Sequence, residues 1–170
     1  MSLYVRWINA IKTGATALWL TDGQRAAYTA VATNWPIEPF VALCGPQGCG
    51  KSFIARLLAA EQGYHYAQAW DEVPPETARV VLDGPEYARS FRTDARRRGV
   101  TRTVVVQRTP PREVMPVVMI ALGERDRKQF VHTLTHYEVL GSFNTELAGM
   151  DFAALLRAEA VKRGTDNAGT

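Results

Sequence analysis

Residues 41–52 read Val41-Ala-Leu-Cys-Gly-Pro-Gln-Gly-Cys-Gly-Lys-Ser52 and contain the pattern G-x-x-x-x-G-K-[ST]. Residues 40–43, just before the pattern, form a short apolar run that is typical of a buried strand. Apolar side chains then recur at helical spacing over residues 52–62, and Gly63 is a helix stop signal. A strand, a glycine loop and a helix in this order are the context in which the pattern binds phosphate. The stretch therefore predicts a nucleotide site.

The residue types in the loop suit a triphosphate. Glycines let the backbone curl so that its N–H groups converge on phosphate oxygens, and the helix that follows adds the positive end of its dipole. Lys51 can reach the β- and γ-phosphates, and the Ser52 hydroxyl can bind Mg²⁺. ATP and Mg²⁺ are the expected ligands. The predicted nucleotide-binding residues are Gly45, Pro46, Gln47, Gly48, Cys49, Gly50, Lys51 and Ser52.

The composition is that of an ordinary globular protein. The chain has 170 residues, 46% of them hydrophobic and 22% charged, which suits a single domain with a substantial core. Its two cysteines, Cys44 and Cys49, both lie at the loop, where reduced thiols are favoured over a disulfide or a zinc site. The sequence shows no secretory signal and no apolar run near ~18 residues, so no membrane span is expected.

Positive charge is concentrated in the middle of the chain. The formal net charge is +3, but residues 79–127 hold eleven arginines against six acidic residues. The surplus is densest in a predicted helix, 86–98, whose Phe91 faces the core. The arginines on its other faces suit a solvated surface, phosphate contacts along a nucleic acid, or a finger from Arg89 or Arg92 that enters a neighbouring subunit's nucleotide site.

The apolar run 79–82 ends in Asp83, as expected of a Walker B strand. At a strand end, Asp83 would hold Mg²⁺ through water or accept a hydrogen bond from Ser52. Many ATPases of this kind place a Glu directly after that Asp to activate water, whereas here Gly84 follows. The nearest acid is Glu86, which is therefore the candidate for orienting the attacking water.

Five apolar runs, with helical segments between most of them, predict an α/β fold with a mainly parallel five-stranded sheet flanked by helices. The runs are residues 40–43, 64–70, 79–83, 101–107 and 115–122. Ligands of such sheets bind at the carboxyl ends of the strands, which places Gly45, Asp83 and Gln107 at one edge. Gln107 can orient the attacking water or sense the nucleotide, and on position alone a polar strand end explains it equally well.

The rest of the chain is predicted to belong to the same single domain, 1–170. Residues 1–35 form an N-terminal helical extension, in which Thr21-Asp22-Gly23 is a helix start signal. This tryptophan-bearing extension suits docking on a membrane or a capsid, but packing on the core or on a neighbouring subunit is favoured. The nucleotide-binding core, 36–140, precedes a C-terminal helix, 141–163, and a tail, 164–170, that is expected to be disordered.

The stretch Arg98-Gly-Val-Thr-Arg-Thr-Val-Val-Val-Gln107-Arg-Thr-Pro-Pro resembles the strand-four region of the FtsK/HerA superfamily of DNA-pumping ATPases, where a strand ends in Gln within a T-Q-R-P-like run. Leu82-Asp-Gly-Pro-Glu-Tyr and the arginine-bearing segment after it are similar to their Walker B strand and the helix that follows. The resemblance covers roughly residues 40–140 and extends to the small genome-packaging ATPases of membrane-containing icosahedral viruses. Two departures are Gly84 in the usual place of the catalytic Glu and the shortness of the chain, in which no separate DNA-guiding domain is expected.

The resemblance implies an ASCE/RecA-like P-loop NTPase that forms a homo-oligomeric ring, expected to be a hexamer, and moves double-stranded DNA by ATP hydrolysis. It further implies packaging of a viral genome into a preformed capsid, in the host cytoplasm or associated with the virion. The implied metal ligands are Ser52 and Asp83. The implied catalytic residues are Lys51, Asp83, Glu86 and Gln107, with Arg89 or Arg92 acting across a subunit contact.

Three other functions are open. The loop and the leucine-rich helix after it also suit a small-molecule kinase of the shikimate- or nucleotide-kinase kind, although no arginine-rich lid bracketed by glycines follows the fourth strand. A superfamily 3 or AAA-type replication helicase is another candidate, but such proteins tend to carry Asn where Gln107 stands. The third is a scaffold that binds nucleotide without hydrolysing it, because Gly84 follows Asp83.

Overall fold

The structure, a computed structural model, describes residues 16–34, 38–84, 91–136 and 161. The strands are β1 (Phe40–Cys44), β2 (His65–Ala67), β3 (Arg79–Leu82), β4 (Arg102–Gln107) and β5 (Val117–Met119). The helices are α1 (Asp22–Asn34), α2 (Lys51–Gln62), α3 (Phe91–Arg97) and α4 (Glu124–His136), and short 3₁₀ turns cover Ala17–Trp19 and Trp70–Glu72. The strands form one sheet in the order β2-β3-β4-β1-β5, and every pairing is parallel. The predicted α/β fold with a five-stranded sheet is confirmed.

Helices cover both faces of the sheet. Along β1, successive side chains enter different cores, because neighbouring residues of a strand point to opposite faces. Val41 and Leu43 pack with residues of α1 and α2, whereas Ala42 and Cys44 pack in a second core with Phe91 of α3. Burial on both faces explains why β1, β3 and β4 appear in the sequence as continuous apolar runs rather than alternating ones.

Two strands are shorter than the sequence predicts. The run 64–70 forms a strand only at His65–Ala67, because the backbone N–H of Gln68 donates to the Glu72 carboxylate (2.6 Å) and the chain then turns. The run 115–122 forms a strand only at Val117–Met119, after a proline that has no N–H for the ladder. Both shortened strands lie at the edges of the sheet, where pairing is available on one side only.

Several predicted segments can be placed and others cannot. Helix α1 begins at Asp22, inside the start signal 21–23 and two residues before the predicted start at Gln24, and its buried Ala27 and Val31 pack this part of the N-terminal extension against the core. Helix α2 begins one residue before Ser52. Residues 1–15, residues 85–90 with the start of the predicted arginine helix, the predicted C-terminal helix and the predicted tail lie outside the described residues, except for residue 161.

The N-termini of α1 and α4 meet at one buried carboxylate. Asp126 accepts hydrogen bonds from the N–H groups of Gly23 (2.7 Å) and Gly123 (2.9 Å), so it lies at the positive ends of two helix dipoles. Burial, the largest influence, raises the pKa of Asp126, but the N–H groups of Gly123 and Gly23 and the Thr21 hydroxyl outweigh it and hold the pKa below its ordinary value. The ionised carboxylate therefore fastens α1 to α4.

Replacing Asp126 by Asn keeps the shape of the side chain but removes its charge. We expect the free energy of unfolding near pH 7 to fall by about 2 kcal/mol, because buried N–H donors lose a charged acceptor. Since the folded-state pKa is lowered, this contribution is fully present above the unfolded value of about 3.9 and is lost as pH falls through the folded value. Denaturant unfolding of wild type and Asp126→Asn at several pH values measures the difference in their free energies of unfolding.

The exposed change Glu124→Gln, in the same turn of α4, is the control and should alter stability little. The charge at this junction would not be stabilising if wild type and Asp126→Asn had the same free energy of unfolding near pH 7. The same conclusion would follow if their difference persisted unchanged below about pH 3.

Candidate phosphate-binding site

The loop between β1 and α2 is packed so tightly that two of its glycines have no room for a side chain. Gly50 has φ +94°, and a Cβ there would collide with the side-chain amide of Gln24. A Cβ at Gly45 would lie 2.9 Å from the carbonyl oxygen of Ile120 and 2.9 Å from Cys49 Sγ. The glycine pattern is therefore required by the packing of the loop itself, in addition to any approach of a phosphate.

The side chain of Lys51, the first residue of α2, folds back along the loop. Its Nζ donates to the carbonyl oxygens of Gly45 (2.7 Å) and Pro46 (2.6 Å) and lies 3.8 Å from Cys49 Sγ. These contacts hold the ammonium beside the loop backbone, where a bound anion would compete with the two carbonyls for it. Ser52, the next residue, is exposed and so open to a ligand.

Both cysteines are buried free thiols, as the sequence predicts. Burial raises the pKa of the Cys49 thiol, and the neighbouring Lys51 ammonium only partly offsets this. Cys44 donates a hydrogen bond to the carbonyl oxygen of Thr109 (3.5 Å). At neutral pH the Cys49 thiol is therefore a neutral packing group of the loop.

Asp83, directly after β3, is held by a tyrosine from the neighbouring strand. The hydroxyl of Tyr66 in β2 donates to Asp83 Oδ2 (2.6 Å), and the guanidinium of Arg56 in α2 lies 4.2 Å from the centre of the tyrosine ring. Burial, and then the hydrogen bond and charge of Asp83, raise the pKa of Tyr66, so the phenol stays a donor. Asp83 is half-buried on the α2 side of the sheet, the side on which Lys51 begins its helix.

Gln107 is the last residue of β4 and lies beside the start of the loop. In the parallel register it pairs with Cys44, the residue before Gly45. Its side chain is buried at 8% exposure, and by strand alternation it belongs to the face of Cys44, opposite to that of Asp83. The end of β4 and the start of the loop therefore lie side by side at the carboxyl ends of the strands.

Arg92 lies near the amino ends of the strands, at the opposite end of β1 from the glycine loop. Its guanidinium donates to the carbonyl oxygen of Val114, lies 3.8 Å from the Glu113 carboxylate, and lies 5.3 Å from the centre of the Phe40 ring. Phe40 begins β1, whereas the loop follows the end of that strand. At ~3.3 Å per residue, roughly 13 Å of strand separates Phe40, which the guanidinium packs against, from Cys44 at the start of the loop.

The structure therefore brings together three of the predicted elements, the loop with Lys51 and Ser52, Asp83 and Gln107, and it leaves Arg92 apart. Glu86 and Arg89 lie outside the described residues. Two further residues of the site were missed in the sequence, Gln24 and Tyr66. Thr21-x-x-Gln24 fits the capping-box pattern, which predicts the contact of Gln24 with Thr21 but not its contact with Cys49. Tyr66 was signalled only as a tyrosine in an edge strand, which does not predict its contact with Asp83.

Comparison with known proteins gives no family for the chain. No protein-family model matches the sequence, and no curated protein matches it significantly. Over the described ranges, no group of three or more His, Cys, Asp or Glu side chains is arranged to hold a metal ion. The same ranges contain no helix with the length and apolar character needed to cross a membrane.

Gly50 and Gly63 offer a test of the packing of the loop. Both bound α2 with positive φ, +94° and +69°, but an added Cβ meets the Gln24 amide at Gly50 and nothing within 4 Å at Gly63. We expect Gly63→Ala to cost about 1 kcal/mol for left-handed backbone strain, and Gly50→Ala to cost a further 1–3 kcal/mol or so for overpacking. Denaturant unfolding measures both. Equal costs, or a difference that does not shrink when Gln24 is also replaced by Ala, would contradict the contact.

Proposed function

We propose that this chain is an ASCE/RecA-like P-loop NTPase that binds Mg-ATP and hydrolyses it to move double-stranded DNA. The observation that supports it best is the meeting of three separate sequence elements at one edge of a parallel sheet: the glycine loop with Lys51, Asp83, and Gln107. The carboxyl edge of a parallel sheet is where ligands of such folds bind.

Each residue has a definite role in the proposed site. The loop N–H groups and the Lys51 ammonium bind the β- and γ-phosphates, and the ammonium exchanges its two carbonyl partners for phosphate oxygens. Ser52 and Asp83 hold Mg²⁺, which when bound neutralises phosphate charge. Mg²⁺ is usually held by one or two protein groups together with substrate phosphates and water, so a half-buried carboxylate and an exposed hydroxyl suit it.

Activation of water falls to Gln107 and Glu86 in this proposal. The Gln107 amide lies next to the loop in register and can orient a water that attacks the γ-phosphate. Gly84 cannot serve as a base, so Glu86, two residues further on, is the proposed carboxylate.

Translocation of DNA by a homo-oligomeric ring, expected to be a hexamer, is the second part of the proposal. It is supported by the resemblance of residues 98–111 to the DNA-pumping ATPases and by the arginine surplus of residues 79–127. The arginines at 92, 96, 97, 98, 108 and 112 are all exposed. Exposed guanidinium groups suit phosphate contacts that carry no sequence specificity. Packaging of a viral genome is the process in which we place this activity.

Loss of the loop cation tests the nucleotide site. Replacing Lys51 by Met should weaken Mg-ATP binding by tenfold or more, about 1.4 kcal/mol, because a charge-assisted contact to phosphate is lost. Isothermal titration or a fluorescent ATP analogue measures the affinity. The matched control is Lys128→Met, an exposed lysine whose partner is Glu124 and which lies outside the site. If wild type binds no Mg-ATP, or binds it as tightly as Lys51→Met does, the nucleotide proposal fails.

Assembly and turnover test the motor. With a non-hydrolysable ATP analogue, negative-stain images should show ring-shaped particles, and duplex DNA should raise the rate of ATP hydrolysis. The stimulation should weaken with salt, because phosphate contacts release counterions. A monomer that phosphorylates a metabolite would instead support the kinase, and unwinding of a forked duplex would support the helicase. Nucleotide binding with no turnover at all would leave the scaffold.

A further inference from the structure

One buried side chain connects the glycine loop to the helix that precedes it in sequence. Gln24, in the first turn of α1, is 2% exposed. Its Nε2 donates to the carbonyl oxygen of Cys49 (3.1 Å), and its Oε1 accepts from the N–H of Thr21 (3.2 Å). The amide is therefore used at both ends, once within its own helix turn and once on the loop.

The position of Gln24 is fixed by contacts outside the loop. Its backbone N–H donates to Thr21 Oγ1 (3.4 Å), which with the Oε1 contact forms a capping box at the start of α1. The neighbouring Gly23 donates to Asp126 of α4, and the N–H of Asp22 donates to Gln129 (2.8 Å). Helix α4 thus holds the first turn of α1 in place, and Gln24 reaches the loop from a rigid base.

The contact at Cys49 has a direct consequence for the loop. The carbonyl of Cys49 and the N–H of Gly50 belong to one planar peptide unit, and in a trans peptide they point in opposite directions. The backbone has no cis peptide bond among the described residues. Because Gln24 binds the carbonyl on one side, the N–H of Gly50 is directed to the other side, away from α1.

We propose that Gln24 is a positioning residue for phosphate binding: it orients the 49–50 peptide so that the Gly50 N–H faces the phosphate. This inference rests on the proposed nucleotide function. The close packing of Gly50 on the same amide fits it, since a Cβ would push Gln24 away from the carbonyl it binds. Helix α1 is then part of the nucleotide site, although the glycine pattern begins at Gly45, 21 residues after Gln24.

Two variants separate loop positioning from helix capping. Gln24→Met keeps the volume but loses both amide contacts. Thr21→Ala loses only the hydroxyl that accepts from the Gln24 backbone N–H, and it keeps the Thr21 backbone N–H that donates to Gln24 Oε1 and the Gln24 donor to Cys49. We expect Gln24→Met to weaken Mg-ATP binding about tenfold, because the Gly50 N–H would lose its hydrogen bond to a charged phosphate. Thr21→Ala should leave the affinity nearly unchanged. Both should lower the melting temperature, because both disturb the start of α1.

A third variant gives a readout that a structural role would not move. Gln24→Glu keeps the acceptor for the Thr21 N–H, but its ionised carboxylate repels the Cys49 carbonyl and cannot donate to it. Once protonated, the introduced acid can donate again. We therefore expect its Mg-ATP affinity, relative to wild type at the same pH, to recover as pH falls from about 8 to about 5, in a range set by burial of the carboxyl.

The outcomes distinguish the inference from the function on which it rests. If wild type binds Mg-ATP and the Gln24→Met and Thr21→Ala variants bind it equally well, the positioning role is overturned and nucleotide binding stands. If wild type binds no Mg-ATP, the proposed function fails. The amide resonance of Gly50 without nucleotide then still tests the geometry: a shift in Gln24→Met but not in Thr21→Ala supports the contact, and no shift overturns it.

Discussion

The insertion of β4 between β1 and β3, with all three strands parallel, is the constraint on which the site depends. The register pairs Cys44 with Gln107 and Leu82 with Val105, so Gly45 and Asp83, the residues that follow β1 and β3, each come out within one residue of the end of β4. Because every strand runs the same way, each must be reached by a crossover, and all carboxyl ends meet at one edge. Three stretches distant in sequence are thereby brought together without any contact between their side chains being needed to hold them.

Most of the fold could be predicted from the sequence, because burial on both faces makes each inner strand a continuous apolar run and glycine marks the helix ends. The order of the strands in the sheet was not predictable, since crossovers of similar length suit several strand orders. That is why the partner of Asp83 was missed: Tyr66 reaches it only because β2 lies beside β3. The edge strands were predicted too long for a related reason, as their ends are set by local contacts such as the bond from Gln68 to Glu72.

The glycines of the loop satisfy two requirements at once. The first requirement, which the sequence indicates, is a backbone that can curl around a phosphate. It does not explain what holds the loop in shape when no ligand is bound. In the structure the same positions admit close neighbours: the Gln24 amide at Gly50 and the Ile120 carbonyl at Gly45. A loop supported in this way from both α1 and the end of β5 has its shape largely set by the protein itself, and such a preset loop would lose less entropy if it bound a ligand.

The separation of Arg92 from the loop bears on how a ring could work. In its own chain the guanidinium is engaged by Glu113, Val114 and Phe40 near the start of β1, away from the carboxyl edge. A guanidinium held there cannot stabilise charge on a phosphate bound by the same chain, since such stabilisation requires contact. If Arg92 acts on a nucleotide, the nucleotide must belong to another subunit whose carboxyl edge faces this one. In the proposed ring, assembly would then be a condition of catalysis rather than a consequence of it, because each subunit would supply a loop at the carboxyl ends of its strands and a cation at the amino ends.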